Sequence, residues 1–464
     1  MDKDLPYAAI RGEHQILQLD PAVIPPLGGG IRLIGPRTAL VPNEDFAAVA
    51  KAMDGGSPPF IHSVFDNSTI YFPLVPEAVG ASTVDNDDNW GAGVDGVGAD
   101  HFHERGIEGQ GVRIGIADSG MDSTHPIFAN LIAEGRLVGF AHFNKLGAKV
   151  IQKQPDGTAV PDAKATPTFG HWHGTHCAGI LVGQSTDGKV HGVAPRAELA
   201  VARVLEEANE GSPAGILAGL WWLTTQACDI VSLSLGWPGL HEDWWEPIAV
   251  LLQNGVVVVA AVGNERLTPG TKPSRSPANY LDTPGSAKFG RLLPVGAHDL
   301  AGAVWDESGG ELVDWSNETV LLSNGSIRPS VFASVAPRIV PALVAPGVNI
   351  ISSSPPNGAY RSSAGSSMAA PHAAGLIALV LSELRTRDAT TPPHLAADLL
   401  SSCLMDIPPP GADTWSGNGR VDNDALAQRL AAIVAAGSTA SDSQDDDQLS
   451  TRPDGLVQGL VRDK

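Results

Sequence analysis

Three stretches of the chain carry side chains able to take part in chemistry. In IGIADSGMD (114–122) an apolar run ends in Asp118, followed by Ser119 and Gly120. A carboxylate there can serve a reaction, or can simply close a turn or cap a helix. In HWHGTHCAGI (171–180) small residues surround two histidines ahead of an apolar stretch, which predicts a helix with His173 near its start. His171, His173, His176 and Cys177 are also potential zinc ligands, but there is no HExxH pattern and no second close-spaced Cys/His pair to complete a tetrahedron. In SSAGSSMAAPHAAGLIALV (362–380) small residues lead into a helix, with Ser367 at the turn. The helix dipole and free N–H groups at such a start favour developing negative charge, although a serine there also serves as a plain cap. The stretch is not a GxSxG elbow, because position 369 is Ala.

These residues sit at the ends of apolar runs. VRIGIA (112–117), LAVARVL (199–205), IVSLSLG (230–236), VVVVAAVG (256–263) and LLPVGA (292–297) are short, β-rich and bounded by Gly, Asp or Asn. Strands covered on both faces read this way. Helical stretches fall between and after them, at 215–226, 246–254 and 368–384. The alternation predicts right-handed βαβ units and a largely parallel sheet, with the chemistry beyond the C-terminal strand ends. Asn264 closes one of these runs, where a turn residue is expected in any case.

The 464 residues allow two or three domains at ~150 residues each, or one large α/β enzyme. Hydrophobic residues at 43% and charged ones at 17% permit a sizeable core and exclude wholesale disorder. Lys+Arg 30 against Asp+Glu 51 gives a net charge of -21, which argues against a nucleic-acid partner. Cys177, Cys228 and Cys403 cannot form a disulfide framework. No secretory signal is visible at the N-terminus, and the run GVVVVAAVG is too short to cross a bilayer. The expectation is a cytoplasmic protein with no membrane partner, export by an unreadable route being the alternative. Oligomeric state is not readable.

Residues 1–88 are rich in Pro and Gly, with a helix expected at 44–53 and a polar linker, STVDNDDN, at 82–89. The segment 299–339 is polar and reads as a surface insertion with its own hairpin. Residues 433–464 become acidic and read as a disordered tail.

Taken together and in order, the three chemical stretches resemble the blocks of the subtilisin-like serine peptidases, the subtilases: D-[ST]-G, H-G-T-H and G-T-S-M-A-x-P-H. Asp, His, Ser is also the order in subtilisin. The resemblance runs from about Asn89 to Ala432 and includes HGVAP (191–195), SLSLG (232–236), AAVGN (260–264), APGV (345–348) and GNGRVDNDAL (417–426). It implies a three-layer α/β fold over 89–432 and an N-terminal extension that is either a propeptide or an uncleaved accessory segment. It implies a serine endopeptidase acting on peptide or protein substrates through an acyl-enzyme. Ser367 matches the nucleophile, His173 the general base and acid, Asp118 the carboxylate that orients the imidazole, and Asn264 the oxyanion-hole amide. Ser234-Leu235-Gly236 matches the strand that pairs with an extended peptide, and Ala261-Val262-Gly263 the opposite wall of the pocket for the side chain on the acyl side of the scissile bond. A narrow precursor-processing protease and, less favoured, a silent peptide-binding pseudoenzyme are the alternatives.

Two departures are visible. Ser366 stands where the family usually has Thr, which keeps a hydroxyl. Many subtilases bind a structural calcium through an aspartate at the position of Ile127; the resemblance implies a structural calcium here only without that carboxylate, with Thr186 and Asp187 as further donors. No cofactor is required for the chemistry. Cys177, next to His176, is expected to pack as a small apolar residue under the catalytic imidazole.

Overall fold

A computed structural model describes residues 9–10, 14–19, 31–36, 38–45, 61–67, 69–71, 89–184, 192–281, 290–321, 327–356 and 358–441. Nine strands form the central sheet: β1 (Arg113–Asp118), β2 (Leu137–His142), β3 (Glu198–Arg203), β4 (Ile230–Leu233), β5 (Val257–Ala261), β6 (Arg291–His298), β7 (Leu343–Pro346), β8 (Leu404–Met405) and β9 (Arg420–Val421). Their spatial order is β8-β9-β7-β6-β5-β4-β1-β3-β2, and every neighbouring pair is parallel except β8 with β9. The strands that follow β1 lie on one side of it, β3 beside it and β2 at the edge, and those that follow β4 lie on the other side. The sheet therefore opens a crevice beyond the C-terminal ends of the adjacent strands β1 and β4, as doubly wound sheets do.

Side-chain alternation explains why the strands are apolar throughout. In β5, Val257, Val259 and Ala261 join one core cluster, while Val258 and Ala260 join the other. Each face is covered by helices, which favours apolar side chains at nearly every central strand position. Fully burying each valine is worth roughly 1.5–3 kcal/mol relative to exposure. One face carries α1 (Trp172–Val182), α4 (Ser366–Arg385) and α5 (Pro393–Ser401), and the other α2 (Pro213–Leu223) and α3 (Trp245–Gln253). Helix α6 (Asn423–Ser441) runs past position 432, into the stretch read from sequence as tail, and residues 442–464 lie outside the described residues.

The segment 299–339 does contain a hairpin, Thr319–Leu321 with Ile327–Pro329, and a second antiparallel pair, Glu311–Val313 with Arg338–Val340. It is more than a surface excursion. Trp315 and Phe332 are buried in the core beside Tyr280, and the Trp315 indole donates to Asn279 O at 2.9 Å.

The N-terminal part forms a four-stranded antiparallel sheet in the order Arg32–Gly35, Thr38–Pro42, His14–Leu19, Ile61–Asp66. Ile16, Ile34 and Leu40 share a core with Ala214, Ile216 and Leu217 of α2. Asn67 fixes the docking: its Oδ1 accepts from Ala214 N at 2.9 Å, and its amide donates to Lys145 O at 3.1 Å. Thr69–Tyr71 then pairs with both Ala9–Ile10 and Glu210–Gly211. Residues 46–53 of the expected helix and 82–88 of the expected linker lie outside the described residues. Asn89 is buried, not a solvated linker residue, and its side chain reaches His372 Nε2 at 3.0 Å.

Candidate active site

Asp118 ends β1 at the mouth of the crevice and is fully buried. Its carboxylate accepts from Ser119 N at 2.6 Å and faces His173 Nδ1, 2.9 Å from Oδ1 and 3.0 Å from Oδ2. The helix that carries His173 is anchored by the next residue. Ser119 Oγ accepts from Gly174 N at 2.9 Å and donates to His171 O at 3.0 Å. A Cβ at position 174 would lie 2.2 Å from Gly120 O and 3.0 Å from Asp118 Oδ1, so only glycine lets α1 approach this closely.

Burial alone pushes the His173 imidazole down. The Asp118 charge overcomes that and holds it well above its ordinary value. Cys177 lies one turn along α1, wholly buried, with Sγ 3.9 Å from His173 Nδ1 and 3.5 Å from Ser367 O. Burial raises its thiol pKa, so it is uncharged near neutral pH and packs under the imidazole.

Ser367 is the second residue of α4, after Gly365 at the N-cap, and is almost buried. It is locked to the end of β4 by a reciprocal pair: Ser234 Oγ donates to Ser367 O at 2.7 Å, and Ser367 Oγ donates to Ser234 O at 3.2 Å. The crevice thus brings Asp118, His173 and Ser367 to one place, with the Cys177 thiol touching both of the latter two.

Asn264 follows β5. Its Oδ1 accepts from Ser366 N at 3.0 Å and lies 2.9 Å from Ser366 Oγ. With the carbonyl end so held, the NH2 end is left to serve as a donor. Ser366 Oγ also accepts from Gly263 N at 3.1 Å. Ser234, Leu235 and Gly236 continue from β4, and Ala261 ends β5 with Val262 and Gly263 following it, so the two stretches flank the approach to Ser367.

Other histidines behave differently. Burial lowers His171 to about 4, His176 to about 3 and His372 to about 4, so all three are neutral near pH 7. His176 Nε2 is engaged by Arg361 O at 3.0 Å. Among the described residues the one metal-compatible group is Asp118, His173 and Cys177. It excludes His171 and His176 and offers only three ligand atoms, of which the Asp118 carboxylate and His173 Nδ1 already bond each other, so the four-ligand zinc set weighed from sequence is not assembled. Ile127 is buried with its backbone O already accepting from Gln184 N at 2.9 Å. It offers no carboxylate, so a calcium site of the usual kind does not fit at that position; Thr186 and Asp187 lie outside the described residues.

Sequence reasoning missed Ser119 as the link between β1 and α1, and Arg275, whose guanidinium is paired with Glu265 between the two walls. Ser119 is visible in the D-S-G block, but nothing in the sequence says which partners it meets.

Comparison with known proteins finds one family model and several similar proteins. The sequence model of the subtilase family (Peptidase_S8) matches residues 109–447. The chain is 29% identical over 336 residues to Subtilisin DY of Bacillus licheniformis, covering 72% of this chain and 98% of that protein. It is 30% identical over 333 residues to the major intracellular serine protease of Bacillus subtilis (strain 168), with 70% and 86% covered, and 28% identical over 342 residues to the intracellular serine protease of Paenibacillus polymyxa, with 71% and 87% covered.

Proposed function

The chain belongs to the subtilase family and is a serine endopeptidase, and on that premise we propose that Ser367, His173 and Asp118 form its catalytic triad and that Asn264 completes the oxyanion hole. The observation that carries this reading is the buried Asp118 carboxylate set against His173 Nδ1 at 2.9 Å. That contact selects the tautomer with a proton on Nδ1 and a free lone pair on Nε2. The serine hydroxyl turns from Ser234 O toward Nε2, gives up its proton there, and Oγ bonds to the substrate carbonyl carbon. The carbonyl oxygen becomes an anion, which the Asn264 NH2 and the Ser367 N–H stabilise. As the tetrahedral intermediate collapses, the C–N bond breaks and His173 returns the proton to the leaving amine. Water then attacks the acyl-enzyme by the same proton path and frees Ser367.

Substrate pairs main chain to main chain with Ser234–Gly236, and its acyl-side side chain points toward the pocket whose opposite wall is Ala261–Gly263. No metal or organic cofactor takes part in these steps. The catalytic domain is read as 89–432, with 1–88 as a propeptide-like extension. A cytoplasmic site of action is supported by the intracellular serine proteases among the similar proteins, and cell fractionation tests it. The chemistry is tested by pre-steady-state hydrolysis of a chromogenic ester. The reading expects a burst of one equivalent that Ser367→Ala abolishes, and a burst surviving that substitution would overturn it.

A further inference from the structure

The space between the two walls is already occupied. Arg275–Ser276 pairs antiparallel with Trp237–Pro238, just after Gly236, and Arg275 N donates to Val262 O at 3.0 Å. This short strand spans both walls and sends the Arg275 stem up between them. A Cβ at Gly236 would lie 2.9 Å from Arg275 Cβ and 3.3 Å from its Cδ. A Cβ at Gly263 would lie 2.8 Å from Arg275 Cγ and 3.0 Å from the same Cδ. One methylene therefore touches both glycines, which leaves no gap for a second side chain.

The stem ends in a fork. Arg275 Nε donates to Glu265 Oε2 at 2.9 Å, and Nη2 bonds Glu265 Oε1. Glu265 Oε2 also accepts from Asn264 N at 3.0 Å, which ties the pair to the proposed oxyanion residue. Arg275 is 4% exposed and Glu265 2%. Moving either partner aside would strand a charge in a closed site, so the plug does not yield easily to an entering side chain.

We propose that the Arg275–Glu265 pair plugs the pocket for the side chain on the acyl side of the scissile bond, and so restricts the enzyme to peptides with Gly, Ala or Ser there. The proposal rests on the triad and wall assignments above. An aromatic or long aliphatic side chain meets filled space. A charged one meets a pair whose charges already satisfy each other.

The test is a series of otherwise identical peptides carrying Ala, Ser, Leu, Phe, Lys or Glu at that position, read as kcat/KM. Wild type should favour Ala over Phe and Leu by about tenfold or more. In the double variant Glu265→Gln/Arg275→Gly, which removes the plug without stranding a charge, the Phe/Ala ratio should rise by about tenfold or more. Parity of Phe or Leu with Ala in wild type, a preference for Lys or Glu, or an unchanged ratio in a folded double variant would each overturn the plug. Should circular dichroism show that variant unfolded, Glu265→Gln/Arg275→Ser, which also strands no charge, reads the same ratio, and the wild-type profile already decides. Fluorophosphonate titration of the same preparations separates the two claims. Labelled Ser367 with the wrong profile rejects the plug alone, whereas no labelling and no cleavage reject the catalytic reading and the plug with it.

Discussion

Ser366 grips the side chain of Asn264 by its carbonyl end, with the backbone N–H donating to Oδ1 at 3.0 Å and the hydroxyl 2.9 Å from the same atom. A planar amide held this way has its NH2 aimed by default, before any substrate arrives. The position where the family usually has Thr thus keeps its orienting role with Ser.

Removal of the amide donor should therefore cost far more than removal of its holder. Asn264→Ala is expected to lower kcat by about 10²–10³-fold, the magnitude known for subtilisin's own asparagine. Ser366→Ala leaves the backbone bond in place but removes the hydroxyl that contacts Asn264 Oδ1 and accepts from Gly263 N, so its loss should be about tenfold in kcat with KM little changed. Ser366→Thr should behave as wild type. Steady-state kinetics of the three variants check the ranking.

A raised His173 pKa sets the direction of the pH dependence. The base works when neutral, so kcat/KM should climb with pH through a midpoint above the ordinary value near 6.5. Without the Asp118 charge, burial acts unopposed, and Asp118→Asn should move the midpoint down while lowering kcat by about 10⁴-fold. The sign for stability is opposite. A pKa raised by folding contributes stability that is complete below 6.5 and lost as pH rises through the raised value. The melting-temperature advantage of wild type over Asp118→Asn should accordingly shrink from pH 5.5 to pH 9. Identical rate midpoints in the two proteins would contradict the assignment.

Much of this was legible in the sequence because the core strands are apolar on both faces. The runs at 112–117, 230–236, 256–263 and 292–297 each overlap an observed strand, and the three expected helices overlap α2, α3 and α4. Asp118, Asn264 and Ser367 stood out because each lies at the end of such an element. What stayed hidden depends on contacts between distant residues. The strand Leu137–His142 lies at the edge of the sheet and is only half buried. The Arg275–Glu265 pair falls in a loop whose polar composition reads as solvent-exposed, and only the fold shows that it turns inward. Trp315 and Phe332 were masked likewise by the polar residues around them.

Asp243 offers a stability test away from the crevice. It is buried at the foot of α3, and burial, reinforced by the Glu242 charge, raises its carboxyl to about 7. A carboxyl raised from 3.8 to about 7 contributes full stability below 3.8 and loses it as pH rises to about 7. Asp243→Asn removes the charge at nearly constant shape. Its melting temperature should exceed that of wild type at pH 8, with the gain gone by pH 4. A gain independent of pH would reject the account.

Processing of the N-terminal extension should depend on the chain's own serine. If 1–88 is a propeptide, N-terminal sequencing of wild type should find a cut within 82–88, ahead of the buried Asn89, and Ser367→Ala should remain uncut. An intact N-terminus in both proteins would make the extension a permanent accessory sheet docked on α2.

The most direct measurement is to react the purified protein with a serine-directed fluorophosphonate and map the adduct by mass spectrometry. The account predicts one adduct per chain, on Ser367, formed at a rate that rises with pH and falls steeply in His173→Ala. Adduct on another residue, or undiminished labelling without the His173 imidazole, would contradict it.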